Sequence, residues 1–213
     1  MLAFKLVAGA AMLAFGMVVA RAAEVDAALL VHEGNGRGVA PCASCHGKDG
    51  AGQATAGFPR LAGLNADYLA KQLHDFKRGL RSNPVMQPIA RALSDAEIAA
   101  TARYFAALPV PKAQEAAADP ALVKKGEALF HNGDWARGVP GCYQCHGPEG
   151  QGIGAHFPAI VPQSSLYVRN QLRDWKSGAR RNDPAGLMKS VADHLPDDEA
   201  AAVAAYVASR GAK

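Results

Sequence analysis

No sign of charge dominates the 213-residue chain: 23 Lys and Arg face 19 Asp and Glu. Without Lys5 and Arg21, which lie in the leader described next, the balance is 21 to 19. A near-neutral chain gives no electrostatic footing for nucleic acid, despite a sequence pI of 8.9. No segment alternates apolar and polar residues over the length of a strand, so the chain reads as helical throughout. Long apolar runs are also missing, apart from Leu6 to Ala20. That run falls short of the about 20 residues that span a bilayer. With Lys5 before it and Ala20-Arg21-Ala22 after it, it reads as a secretory signal over residues 1–23. The mature chain is then expected to begin at Ala23 or Glu24 in a bacterial periplasm, an uncleaved anchor being the alternative.

Cysteine is scarce as well, and its placement is informative. All four cysteines lie in two Cys-x-x-Cys-His runs 100 residues apart, Cys42-Ala43-Ser44-Cys45-His46 and Cys142-Tyr143-Gln144-Cys145-His146. Both runs carry the signature of covalent haem c attachment. On one helical turn, the i, i+3 and i+4 spacings bring two thiols and an imidazole to the same face. Cys42 and Cys45, like Cys142 and Cys145, are therefore expected to form thioethers, with His46 and His146 ligating iron. Zinc would need further ligands at matched spacing, and a thioredoxin-like pair would not carry the adjacent histidine twice. With all four thiols used, no disulfide framework remains.

The second half repeats the first. Gly47, Gly50 and Gly52 recur as Gly147, Gly150 and Gly152, and Phe58-Pro59 as Phe157-Pro158. Tyr68, Gln72-Leu73, Gly79, Arg81 and Asn83 recur as Tyr167, Gln171-Leu172, Gly178, Arg180 and Asn182, and Tyr104 matches Tyr206. The expected division is a signal over 1–23, a domain over 24–108, a Pro/Ala-rich linker over 109–118 and a domain over 119–213. Each domain is small for a self-sufficient core. A buried haem would supply the missing apolar volume.

Helix signals agree with this division. Asp119-Pro120 reads as a cap with proline in the first turn, Asn65 and Ser164 as caps of a matched helix pair, and Ser94 with Glu97 as a capping box. The apolar stripes Tyr68/Leu69, Leu73, Phe76 and Leu166/Tyr167, Leu172, Trp175 stop at Gly79 and Gly178.

Methionine is almost absent after the leader, where only Met86 and Met188 remain. There is one per repeat, about 40 residues past each motif histidine, in what reads as a loop between two helices, and the pair is expected to supply the sixth iron ligands. The bland alternative is a flexible core filler. A thioether is a soft, neutral ligand that raises the reduction potential, and two protein ligands leave no open position for oxygen or peroxide. The other five histidines, His32, His74, His131, His156 and His194, read as structural or surface residues. Arg81 and Arg180, repeated beside the methionines, are expected to pair with haem propionates.

Taken in order, Cys-x-x-Cys-His-Gly, Phe-Pro, Tyr-Leu-x-x-Gln-Leu, Arg-x-Asn, a Met and a final helix opened by Leu93-Ser94-Asp95-Ala96-Glu97 resemble the cytochrome c₄ family, the dihaem class I cytochromes, over nearly all of the mature chain. The resemblance implies an all-α protein of two tandem class I cytochrome c domains about a pseudo-twofold axis, with propionates near the interface and electrons passing between the haems. It also implies that the Pro59 and Pro158 carbonyls accept the ring N–H of His46 and His146. Two departures stand out. The second repeat opens with Lys125-Gly126-Glu127-Ala128-Leu129-Phe130, whereas the first has Ala27-Ala28-Leu29-Leu30-Val31 and lacks the glycine, and Pro196 replaces the Ser94 cap.

The expected function is electron transfer in a periplasmic respiratory chain, from a quinol-oxidising complex to a terminal oxidase, with the protein free or held at the inner membrane. The alternative is a cytochrome subunit accepting electrons within a periplasmic dehydrogenase complex. A dihaem peroxidase would need one accessible iron, which the matched methionines oppose.

Overall fold

The computed structural model describes residues 24–112 and 118–210. The expected signal segment and residues 113–117 of the expected linker lie outside the described residues. The first half contains α1 (Ala27–Glu33), α2 (Ala43–His46), α3 (Ala66–Arg78), α4 (Met86–Ala92) and α5 (Asp95–Ala107). The second repeats them as α6 (Pro120–Asn132), α7 (Tyr143–His146), α8 (Ser165–Ser177), α9 (Leu187–His194) and α10 (Asp197–Ser209). Among the described residues extended pairing is limited to isolated bridges. The fold is all-α, two tandem copies of one five-helix order.

Helix ends follow from local chemistry. Asn65 and Ser164 accept from the Tyr68 and Tyr167 amides, and Asp119 accepts from Ala121 ahead of Pro120. Gly79 and Gly178 end α3 and α8 with φ of 76° and 75°, a left-handed conformation that costs other residues more. Ser94 and Glu97 close the reciprocal capping box, whereas Pro196 makes no side-chain cap.

The terminal helices of each domain cross, and here the departure at Gly126 has a visible effect. A Cβ on Gly126 would lie 2.0 Å from the Ala202 carbonyl oxygen and 2.8 Å from the Tyr206 Cβ, so α6 and α10 approach backbone to backbone. Position 27 carries alanine, α1 spans only 7 residues, and its contact with α5 is sparser. Val31 and Phe105 join Leu64, Tyr68, Leu69 and Ala102 in the first core, while Phe130, Val203, Tyr206 and Val207 form the matching cluster in the second. Leu166 departs from its expected place in the apolar stripe. It is 36% exposed and lies against Gly57 of the other domain.

The 34–39 and 134–139 loops are tied to the last helices by a repeated ion pair. Arg37 meets Glu97 at 2.7 Å, and Arg137 meets Glu199 at 2.6 Å. Burial works to raise the Glu97 carboxyl, but hydrogen bonds from Ser94, Asn35 and Arg37 overcome it and pull the group from 4.5 to about 2. Because the folded value is the lower one, the stabilisation is present above pH 4.5 and disappears as pH falls towards about 2. Glu97→Gln should therefore flatten the fall of the denaturant midpoint over that interval. An unchanged slope would contradict this assignment.

Candidate haem sites

Each motif occupies a single helical turn. Cys42 and Cys142 are the residues that precede α2 and α7, and their carbonyls accept from His46 N and His146 N at 2.9 Å. Cys42, Cys45 and His46 thus share one turn, as do their counterparts. All four cysteines are unpaired. Burial raises the Cys42 thiol above its ordinary range and pushes Cys142 up to about 11. A thioredoxin-type pair needs the opposite, a stabilised thiolate. Among the described residues no group of three or more His, Cys, Asp or Glu could hold a metal ion, so zinc also lacks a ligand set.

His46 and His146 are 6% and 8% exposed. The His46 Nδ1–H donates to the Pro59 carbonyl oxygen at 2.9 Å, and the His146 Nδ1–H donates to that of Pro158 at 2.7 Å. Since a carbonyl can only accept, the proton is on Nδ1 and the Nε2 lone pair is free for a metal. Burial holds both imidazoles below their ordinary value, favouring the neutral ring that iron requires.

Met86 and Met188 do not lie in loops. Met86 is the first residue of α4 and Met188 the second of α9. Asn83 Oδ1 accepts from Met86 N at 2.9 Å, and Asp183 Oδ2 from Met188 N at 2.5 Å. A side-chain acceptor three or five residues upstream satisfies an otherwise orphaned first-turn amide, which is why helix starts here. The sequence match of Asn83 with Asn182 is therefore not a match of role, because Asp183 does the capping. Asn182 donates instead to Gln72 and Asp75 of the first domain, both at 2.8 Å.

Arg81 and Arg180 form the centre of the domain interface. They pair as an antiparallel bridge, with Ser82 N donating to Ala179 O and Arg181 N to Leu80 O, each at 2.8 Å. Arg81 bonds Gln72 at 3.0 Å, Tyr167 at 2.9 Å and Gln171 at 2.5 Å. Arg180 answers with Gln171 at 3.1 Å, Tyr68 at 3.3 Å and Gln72 at 3.2 Å. Each guanidinium stacks on its own domain's aromatic ring, 4.6 Å from the centre of Phe76 or 4.4 Å from that of Trp175. The contacts obey the pseudo-twofold relation. Among the described residues, neither cation has a carboxylate within ion-pair distance. Two adjacent buried cations with only neutral partners suit an anionic group such as a propionate.

The other matched histidines, His32 and His131, are exposed and meet Tyr104 and Tyr206 hydroxyls at 3.0 and 3.1 Å. Both pairs tie the first helix of a domain to its last, and both partners are repeated in the sequence.

Comparison with known proteins places this arrangement. The cytochrome c family profile matches residues 34–109 and 123–211. The chain belongs to the cytochrome c family. A thiosulfate dehydrogenase electron acceptor from Stutzerimonas stutzeri (strain A1501) is 49% identical over 172 residues, covering 81% of this chain and 80% of that one. Cytochrome c4 of Pseudomonas aeruginosa is 43% identical over 170 residues, covering 79% and 83%. The reduced cytochrome c4 of Pseudomonas stutzeri superposes with a TM-score of 0.73 at 36% identity, over 80% of this chain and 92% of that one. A thiosulfate dehydrogenase (TsdBA) from Marichromatium purpuratum superposes with a TM-score of 0.80 at 42% identity. It covers 85% of this chain, which spans 39% of that longer one.

This cytochrome is c4-like, carries two covalently bound haem c groups, and works as an electron carrier rather than a catalyst. Its intact mass under denaturing conditions, after export with a haem-attachment system, should include two haems. The double substitution Cys142→Ala, Cys145→Ala should leave one, and a native mass with fewer than two would refute dual attachment.

Proposed function

We propose that the chain is the dihaem electron acceptor of a periplasmic thiosulfate-oxidising dehydrogenase. The observation that carries this reading is the 49% identity, across both domains, to a protein named for that role, seconded by 44% identity to the Thiomonas intermedia protein of the same name. The dehydrogenase would supply electrons and the two haems would accept them, one each. The reading includes export by residues 1–23, domains over 24–108 and 119–213 joined by 109–118, and a mature protein free in the periplasm or held at the inner-membrane surface.

Within it, Cys42, Cys45, Cys142 and Cys145 anchor the haems, His46 and His146 are the proximal ligands, and Met86 and Met188 the distal ones. Bound haem supplies a one-electron ferric/ferrous couple. The methionine thioethers would favour the ferrous state and, together with the imidazoles, would leave iron no open site for oxygen or peroxide. Pro59 and Pro158 orient the imidazoles, and Arg81 and Arg180 offset propionate charge at the interface.

Likeness to cytochrome c4 at 43% identity favours a second reading, a shuttle from a quinol-oxidising complex to a terminal oxidase. Mixing the oxidised protein with a thiosulfate dehydrogenase and thiosulfate separates the two. Rapid appearance of the reduced haem spectrum is expected, and reduction only by a quinol-oxidising complex would favour the shuttle. Met86→His and Met188→His should each lower the potential of one haem, since imidazole favours ferric iron more than a thioether does. Absence of a methionine-sulfur-to-iron charge-transfer band in the ferric protein would rule these ligands out.

A further inference from the structure

Against so regular a duplication, departures from symmetry are easy to locate, and one lies next to the first haem site. The Pro59–Arg60 peptide is a single planar unit, so the direction of its carbonyl and that of its N–H are fixed together. Its carbonyl oxygen accepts the His46 Nδ1 proton at 2.9 Å. Its N–H donates to Gln163 Oε1 of the second domain at 3.1 Å, and Gln163 Nε2 donates back to the Arg60 carbonyl at 2.8 Å. The reciprocal pair fixes which way the amide faces. Gln163 is 6% exposed and Arg60 3%.

The Arg60 side chain reinforces the clamp. Its Nε donates to the Pro162 carbonyl at 2.7 Å, and its terminal nitrogens donate to the carbonyls of Val161, at 3.3 Å, and Ala62. Burial lowers this guanidinium to about 10, which leaves it charged at neutral pH.

Among the described residues no matching side-chain clamp runs from Leu64 to the Pro158–Ala159 peptide. The repeat puts Ala159 opposite Arg60 and Leu64 opposite Gln163. Leu64 has no oxygen to accept from Ala159, which packs on the apolar cluster that Leu64 belongs to. The space differs accordingly. The groove lined by Ala51, Phe58, Arg60 and Gln163 encloses about 30 Å³. Its counterpart, lined by Leu64, Gln151, Gly154 and Ala159, is a wider groove open to solvent.

We propose that Gln163 is a positioning residue through which the second domain orients the Pro59 carbonyl, holds the His46 imidazole, and sets the potential of the first haem without affecting the second. The proposal rests on the reading of His46 as an iron ligand. A well-aligned Nδ1–H···O=C bond makes the opposite nitrogen a stronger donor and favours ferric iron, so loosening the peptide should raise the first potential.

The test is Gln163→Leu, which installs the residue the first repeat carries at the matching position and changes no charge. Potentials are followed for each haem by its axial-methionine resonances, assigned with Met86→His. The first potential should rise while the second stays put, and the His46 Nδ1–H should exchange with solvent several-fold faster while that of His146 is unchanged. Gln163→Asn, too short to reach, should act in the same direction if the leucine variant fails to fold. Arg60→Lys keeps the charge and the peptide clamp, so it should lower the denaturant midpoint yet leave the first potential where it was. Equal movement of both potentials, movement of neither, or an Arg60→Lys shift as large as that of Gln163→Leu would overturn the proposal. Absence of paramagnetically shifted His46 ring resonances in the unaltered protein would instead refute His46 ligation, a separate failure.

Discussion

Two guanidinium groups buried side by side without a carboxylate are the constraint around which the two halves are arranged. Taking such charges out of water costs several kcal/mol apiece unless every donor finds an acceptor. Arg81 and Arg180 each find a glutamine oxygen in their own domain and complete the set across the interface, where each borrows a tyrosine hydroxyl and a glutamine oxygen from the opposite domain. A change in the relative orientation of the domains would strand donors on both sides at once. Exposed ion pairs such as Lys125–Asp198 are screened by solvent and cannot set that geometry.

The same constraint explains why α3 and α8 have two working faces. Leu69 and Phe76 turn towards the core of their own domain, whereas Gln72 and Asp75 are just as buried and turn towards the other. Asp75 also gathers Lys71 and Arg78. Its repeat partner Asp174 has neither, because Asn170 and Ser177 stand at those positions. Burial alone works to raise Asp75, but hydrogen bonds from Lys71, Asn182 and Arg78 hold it low, while burial raises Asp174. The interface is thus twofold in its arginines and lopsided in its carboxylates.

Most of the fold was legible in the sequence because its signals are local. Caps at Asn65, Ser94, Asp119 and Ser164, glycine stops at 79 and 178, and the cysteine-histidine turns each depend on a few neighbouring residues. Repetition then extended the reading: Tyr68, Gln72 and Arg81 recur as a set, which marks them as partners even though sequence does not say that they pair across domains. Around the two methionines, Met86, Ile89, Ala90 and Leu93, like Met188, Val191, Ala192 and Leu195, do have helical spacing, but over barely two turns, too short a pattern to outweigh a loop; the Asn83 and Asp183 side chains, which accept from the first-turn amides, mark where helix begins. Arg60 and Gln163 left no trace for the opposite reason. They are not repeated, and their contacts span 103 residues of chain.

The cysteine-histidine turns also bear on how the protein is made. Each is a four-residue helix, too short to hold its shape against the entropy of nucleation, and each ends on a histidine that the finished fold seals from solvent. The four thiols stay half-exposed in the closed fold, whereas the two imidazoles do not. A group that both thiols and the buried imidazole are to hold is thus received most readily by a chain that is still open, and the fold then closes around it.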